Sequence, residues 1–194
     1  MEFVMEDVRA LVSDSKEGLL RVRDIIINLN EFARKDSVDA ELTDLNANIQ
    51  STLRILHSEL KLGIEVELDL ADLPMVNCHS GLISQVMLNL IKNGAQAMDG
   101  KGLLRIRSSV EDGFAAIRVR DSGSGIPDDV IDKIFDPFFT TKEVGSGTGL
   151  GLSLCHGIIQ RHQGILEVVE TGPSGTEFLL ALPLSGAGLE SSGE

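Results

Sequence analysis

Long apolar runs, clustered cysteines and an excess of basic charge are all missing from this chain of 194 residues. A membrane-crossing helix needs about 18 or more consecutive apolar residues, and no such run occurs, so no membrane contact is expected of this chain. No secretory signal is visible at the N-terminus either. The only cysteines, Cys78 and Cys155, form neither a CxxC pair nor a metal-ligand cluster. They read as free buried thiols in a reducing cytosol, which makes a cytoplasmic location the expectation. Seventeen basic residues against thirty acidic ones leave a formal charge of −13, which argues against nucleic acid as a partner. An anionic ligand would have to be attracted by local dipoles and individual cations, because the net charge repels it. A hydrophobic content of 42% is enough for one substantial core.

Two glycine-rich signatures stand out, Asp121-Ser-Gly-Ser-Gly125 and Gly145-Ser-Gly-Thr-Gly-Leu-Gly151, with Phe135-Asp-Pro-Phe-Phe-Thr-Thr-Lys142 between them. The first follows a strand-like run, Ala116-Ile-Arg-Val-Arg120, and places a carboxylate where the chain must turn. Glycines there allow backbone close to a flat ligand, and the carboxylate can accept from an exocyclic amine such as that of adenine. The second becomes apolar and helical from 150 to about 163, so its N–H groups can face phosphate oxygens at a helix N-terminus. Either run alone also fits an ordinary turn.

Their order sharpens the reading. Upstream lies Gln85-Val-Met-Leu-Asn89-Leu-Ile-Lys-Asn93-Gly-Ala-Gln-Ala97, whose apolar positions Ile83, Val86, Met87, Leu90 and Ile91 repeat at helical spacing. Asn89 and Asn93, at i and i+4, project from one face. Two asparagines inside an apolar helix call for partners. Those partners are neighbouring loops, or a Mg²⁺ ion that keeps several waters and bridges phosphates.

With these segments in hand, the chain closely resembles the sensor histidine kinases. Asn89 to Ala97 is similar to their N box, Asp121 to Gly125 to the first glycine box, Phe135 to Phe139 to the F box, and Gly145 to Leu152 to the second glycine box. The resemblance covers roughly residues 43–184. It implies the Bergerat ATP-binding fold shared with type II topoisomerases, MutL and a heat-shock chaperone ATPase, with ATP and Mg²⁺ as ligands. It further implies Asn93 as the Mg²⁺ ligand, Asn89 as a phosphate-side contact, and Asp121 on the adenine amine with Gly125 and Thr176 lining the base. Gly147, Thr148, Gly149, Leu150, Gly151 and Leu152 would wrap the phosphates. Ala97, Gly123, Ile126, Phe135, Thr140 and Thr141 would complete the ATP site. Lys142 is similar to the phosphate-reaching lysine of the nitrogen-regulation subgroup. One departure is visible: many relatives carry a basic residue where this chain has Gln96, so Lys142 or another side chain must supply the charge.

The resemblance also bears on reaction type. Hydrolytic members of the superfamily carry a glutamate general base at the position of Asn89. A neutral amide cannot take a proton from water near neutral pH, so efficient intrinsic hydrolysis is not expected. Phosphoryl transfer needs positioning and charge neutralisation, which suits a domain that holds ATP for an outside nucleophile.

Val8, Val12, Ser15, Leu19, Val22, Ile26, Leu29 and Ala33 alternate spacings of four and three, a heptad seam that wants a partner helix or packs on its own domain. Arg21 to Arg34 resembles the second helix of the dimerisation and histidine-phosphotransfer hairpin. That resemblance implies a homodimer through the hairpin, an acceptor histidine on a helix preceding Met1, and relay to a response regulator receiver domain. The chain is therefore expected to be a portion of a longer kinase, with no catalytic acceptor of its own. His57, His79, His156 and His162 read as structural or surface histidines.

The fold expected is α+β, a two-layer α/β sandwich with a mixed sheet and helices on one face, preceded by the hairpin helix. Residues 1–35 would be that helix, 36–42 a linker, 43–184 the ATP-binding catalytic domain and 185–194 a Gly-, Ser- and Glu-rich flexible tail. Within the domain, helices are expected over 45–60 and 80–98, with a short one over 128–134. Strands are expected over 64–70, 103–110, 114–120, 164–170 and 176–182, with turns at Glu111-Asp-Gly113 and Gly172-Pro-Ser-Gly175. Residues 137–146 read as a lid. Two other readings share the pocket: an anti-sigma-type serine kinase, against which the heptad helix argues, and a non-catalytic ATP-binding scaffold, against which the intact motifs argue.

Overall fold

A computed structural model describes residues 18, 40–61, 63–142 and 147–184. The whole heptad seam, most of the linker, the 143–146 part of the lid and the tail lie outside the described residues.

The sheet is built from five strands, β2 (Ile64–Leu70), β4 (Gly102–Glu111), β5 (Phe114–Asp121), β6 (Ile165–Gly172) and β7 (Gly175–Pro183), in the order β2-β4-β5-β7-β6. Only the β2–β4 pair is parallel; the rest run antiparallel, so the sheet is mixed as expected. Three helices, α1 (Leu45–Leu60), α2 (Ser80–Ala97) and α3 (Gly151–Arg161), accompany it. Asp44 caps α1, its Oδ1 accepting from the Ala47 N–H at 3.0 Å.

Alternation along the strands sorts the two faces. Leu104, Ile106, Ile117, Val119, Leu180 and Leu182 are buried with Ile83, Met87, Leu90 and Ile91 of α2 and Ile158 and Ile159 of α3 in one core. The opposite face carries Arg105 paired with Glu67, Arg118 with Glu111 and Glu177, and Arg120 with Glu170. One face is thus a hydrophobic seat for helices and the other a lattice of ion pairs, the two-layer arrangement expected from sequence.

Three details differ from expectation. The segment 128–134 yields only one 3-10 turn, Ile131–Lys133, because seven residues with Ile134 alone buried cannot offset the cost of nucleating a helix. Strands β1 (Glu41–Thr43) and β3 (Val76–Cys78) pair antiparallel into a separate two-stranded sheet, and β1 takes up the last two residues of the expected linker. His162 stands one residue past the end of α3 as its C-cap instead of within the helix.

The topology positions the functional residues. β5 is the central strand, and Asp121 is its last residue. From there residues 122–142 and 147–150 lie between the sheet and α3, and the described parts of both glycine segments and the F-box segment gather over the end of one strand, beside α2.

Candidate nucleotide site

Between α2 and the 122–150 segment lies a cavity of about 670 Å³, a volume in the range of cofactor pockets. Asn89, Asn93 and Ala97 line it from α2. Asp121, Gly125 and Ile126 line it from the end of β5, and Thr176 from the start of β7. Thr140, Thr141, Lys142, Gly147, Thr148, Gly149, Gly151 and Leu152 close the remaining side. Of the residues singled out from sequence, Gly123, Phe135 and Leu150 stand behind this lining. Gly123 donates its N–H to Asp121, Phe135 stacks on His156 with centroids 5.0 Å apart, and Leu150 is the N-cap of α3. Sequence reasoning did not single out Gln85, Leu88, Lys92, Ser124, Phe139 and Phe178, which also line the cavity. The helical period of α2 carried a signal for Gln85, Leu88, Lys92 and Gln96, since all share the face of Asn89 and Asn93.

Asp121 is the buried carboxylate of this lining, 5% exposed. Its Oδ1 accepts from the N–H of Gly123 at 2.8 Å and of Thr176 at 3.2 Å. These two bonds fix the carboxylate and leave Oδ2 as the acceptor available to whatever fills the cavity. Burial pushes its pKa above the usual carboxylate range, and the two backbone donors offset part of that shift. The loop that follows is pinned on both sides. Ser124 N–H bonds the Ala97 carbonyl at 3.2 Å, and Ile126 N–H bonds Thr171 Oγ1 at 2.7 Å. Gly125 has φ +77°, and a Cβ there would lie 2.1 Å from the Gly172 carbonyl oxygen, so no other residue fits.

At the other end Gly149, at φ +65°, accepts the Phe138 N–H at 2.9 Å, and a Cβ would meet the Phe138 backbone at 2.4 Å. This contact closes the F-box segment against the start of α3. Among the described residues no side chain caps α3, and the first-turn N–H groups of a helix have no intrahelical acceptor. They form an anion-favouring end at Gly151, which lines the cavity.

The asparagine pair is split in its partners. Asn89 donates Nδ2 to Cys155 Sγ at 3.5 Å, which ties α2 to α3 and turns its oxygen toward Gly151. Cys155 is fully buried, and desolvation pushes its thiol up to about 12, so it meets Asn89 as a neutral thiol. Asn93 Oδ1 accepts from Lys142 Nζ at 3.4 Å, and Gln96 Oε1 accepts from the same ammonium. Lys142 is exposed as a residue, but its ammonium lies against this wall, and desolvation lowers its pKa. The second lining cation, Lys92, is engaged by Glu59 at 3.5 Å.

The donor set bears on a metal. Among the described residues no group of three or more His, Cys, Asp or Glu side chains could hold one. The oxygens near Lys142 are neutral amides. That set fits a Mg²⁺ that arrives with a phosphate ligand and takes one amide oxygen from the protein, since Mg²⁺ commonly keeps waters and binds few side chains.

Known proteins match this arrangement. The family described as histidine kinase-, DNA gyrase B-, and HSP90-like ATPase matches residues 79–186. The signal transduction histidine-protein kinase AtoS of Escherichia coli is 36% identical over 173 residues, 86% of this chain and 28% of that protein. This chain spans 20%, 28% and 36% of three curated relatives it matches. Among solved structures, the nucleotide-free catalytic domain of histidine kinase ThkA is 31% identical with a TM-score of 0.69, covering 76% of this chain and 97% of that one. Histidine kinase ThkA in complex with response regulator protein TrrA is 25% identical with a TM-score of 0.73, covering 88% and 49%. The chain therefore belongs to the histidine kinase-, DNA gyrase B-, and HSP90-like ATPase family, and within it to the histidine-kinase catalytic domains.

Proposed function

We propose that this chain is the ATP-binding part of a sensor histidine kinase. It would hold Mg²⁺-ATP while the γ-phosphoryl passes to a histidine on a dimerisation helix, for relay to a response regulator aspartate. The observation that carries this reading is the polarity of one cavity. At one end a buried carboxylate has one oxygen saturated by backbone donors and the other free for an amine. At the other end stand a cation on neutral amides and the start of α3. An adenine with its amine on Asp121 Oδ2, Thr176 beside it and the phosphates toward Lys142 and Gly151 satisfies both ends.

In this reading Asp121 orients the base, and the α3 N-terminus and Lys142 face the phosphate oxygens. Asn93 would offer its amide oxygen to a Mg²⁺, which would supply charge neutralisation for the phosphates. Asn89 holds a neutral amide where a base would be needed to activate water, so ATP waits for a stronger nucleophile. The relative solved with a response regulator supports the relay.

The test is transfer from γ-labelled ATP with Mg²⁺, using this chain and a separately supplied hairpin from the full-length protein. Acid-labile label on the hairpin histidine, passed on to a receiver domain, is expected. Acid-stable label would favour the serine-kinase reading, and bound nucleotide with no transfer would favour a scaffold.

A further inference from the structure

Gln96 and Lys142 are distant in sequence, and the fold brings them into direct contact. Gln96 stands one turn beyond Asn93 on α2, at i+3, so both amide oxygens open toward the same side. Lys142 reaches both with one ammonium, and Thr140 Oγ1 accepts the Lys142 N–H at 3.2 Å, which shapes the turn that delivers it. Lys92, the other cavity cation, already pairs with a carboxylate and has less charge to offer. The charge at the phosphate end thus rests on a residue outside α2, docked by a neutral residue on α2.

We propose that Gln96 is a positioning residue for Lys142, keeping the ammonium anchored beside the phosphates when a metal claims Asn93. This inference rests on the nucleotide reading above. An ammonium and a divalent cation repel each other, so Lys142 would hold Asn93 Oδ1 less well when that oxygen also served Mg²⁺. Gln96 Oε1 lies one helical turn away and keeps its bond. The lysine is then held near the phosphates without competing with the metal, where an unanchored side chain would lose most of its time to solvent. A neutral anchor suits this role, because a glutamate would neutralise the charge the phosphates need and an alanine would leave the lysine free.

A double-mutant cycle on nucleotide affinity tests this. Calorimetric titrations with Mg²⁺-bound, non-hydrolysable ATP analogue would compare wild type, Gln96→Ala, Lys142→Ala and the double variant, with melting temperatures confirming that each is folded. Gln96 and Lys142 are both exposed, so folding is not at stake. In the wild-type background Gln96→Ala should raise Kd about fivefold to tenfold, less than the full loss of a hydrogen bond to a charged group because Gln96 acts on the nucleotide only through Lys142. In the Lys142→Ala background the same change should move Kd by less than about twofold, because Gln96 acts only through the lysine. If wild type binds but the two effects simply add, or Gln96→Ala is silent beside a damaging Lys142→Ala, the positioning role is refuted while the nucleotide reading stands. If wild type binds no nucleotide, both fall.

Discussion

Replacing Asp121 by Asn tests the base end of the site with the smallest change of shape. The Asn carbonyl can take over the place of Oδ1, keeping the N–H groups of Gly123 and Thr176. Its NH₂ then occupies the position of Oδ2 and offers a donor where adenine also offers one. A hydrogen bond to a charged group contributes about 1.5–3 kcal/mol, so its loss should raise the Kd of ADP about tenfold to a hundredfold. The same donor matches the carbonyl of hypoxanthine, so IDP should bind the variant more tightly than it binds wild type. Stability should not suffer, because the substitution removes the cost of burying a charge, the cause of this carboxylate's raised pKa. Calorimetric titrations with ADP and IDP, next to a thermal melt, read all three outcomes. Unchanged ADP affinity would refute the adenine role. Equal loss of both nucleotides with a collapsed melting temperature would show that Asp121 is structural.

Acidification should act through the same group. Asp121 accepts from an amine most strongly when ionised, and a proton on Oδ2 would set a donor against the amine, so ADP affinity should fall as pH drops through its raised pKa, and Asp121→Asn should abolish that fall. In the free chain the sign is opposite. A carboxylate that holds its proton more tightly folded than unfolded favours the folded state at low pH, and this contribution is lost as pH rises through the window between the two pKa values. Gly125→Ala should destabilise by more than about 1 kcal/mol, since φ is +77° and the new methyl would meet the Gly172 carbonyl. A denaturant midpoint equal to wild type would contradict that contact. Cys155, with its thiol pushed up to about 12 and no exposed surface, should resist thiol reagents at neutral pH and react on unfolding. Rapid native labelling at Cys155 would show that α2 and α3 separate readily.

How much of this was legible depended on how local the determinants are. The strand Ile64–Leu70 and the helix Leu45–Leu60 follow from alternation and helical period within their own residues, and the expected bounds match. The Asp112-Gly113 turn is likewise local: both residues take positive φ, as a tight hairpin demands. The pairing of β1 with β3 was not legible, because three-residue strands carry no period and their register is set by the surrounding fold. At the site, Asp121 and the two asparagines were readable from residue type and spacing. The Asn89–Cys155 and Gln96–Lys142 contacts were not, since each joins residues far apart in the chain through the packing of α2 against other elements. Sequence flagged Gln96 as a missing charge, and the structure sets the Lys142 ammonium against its side chain.

The site is expected to bind ATP without passing its phosphate to water, and one paired measurement tests this. Mg²⁺-ATP binding by calorimetry and phosphate release would be followed on the same preparation, with Asp121→Asn as the control for the site. Saturable, Mg²⁺-dependent binding weakened in the variant is expected, with phosphate release close to that of ATP in buffer. Sustained release that disappears in Asp121→Asn would show a hydrolase despite Asn89, and no binding at all would remove the site's assignment.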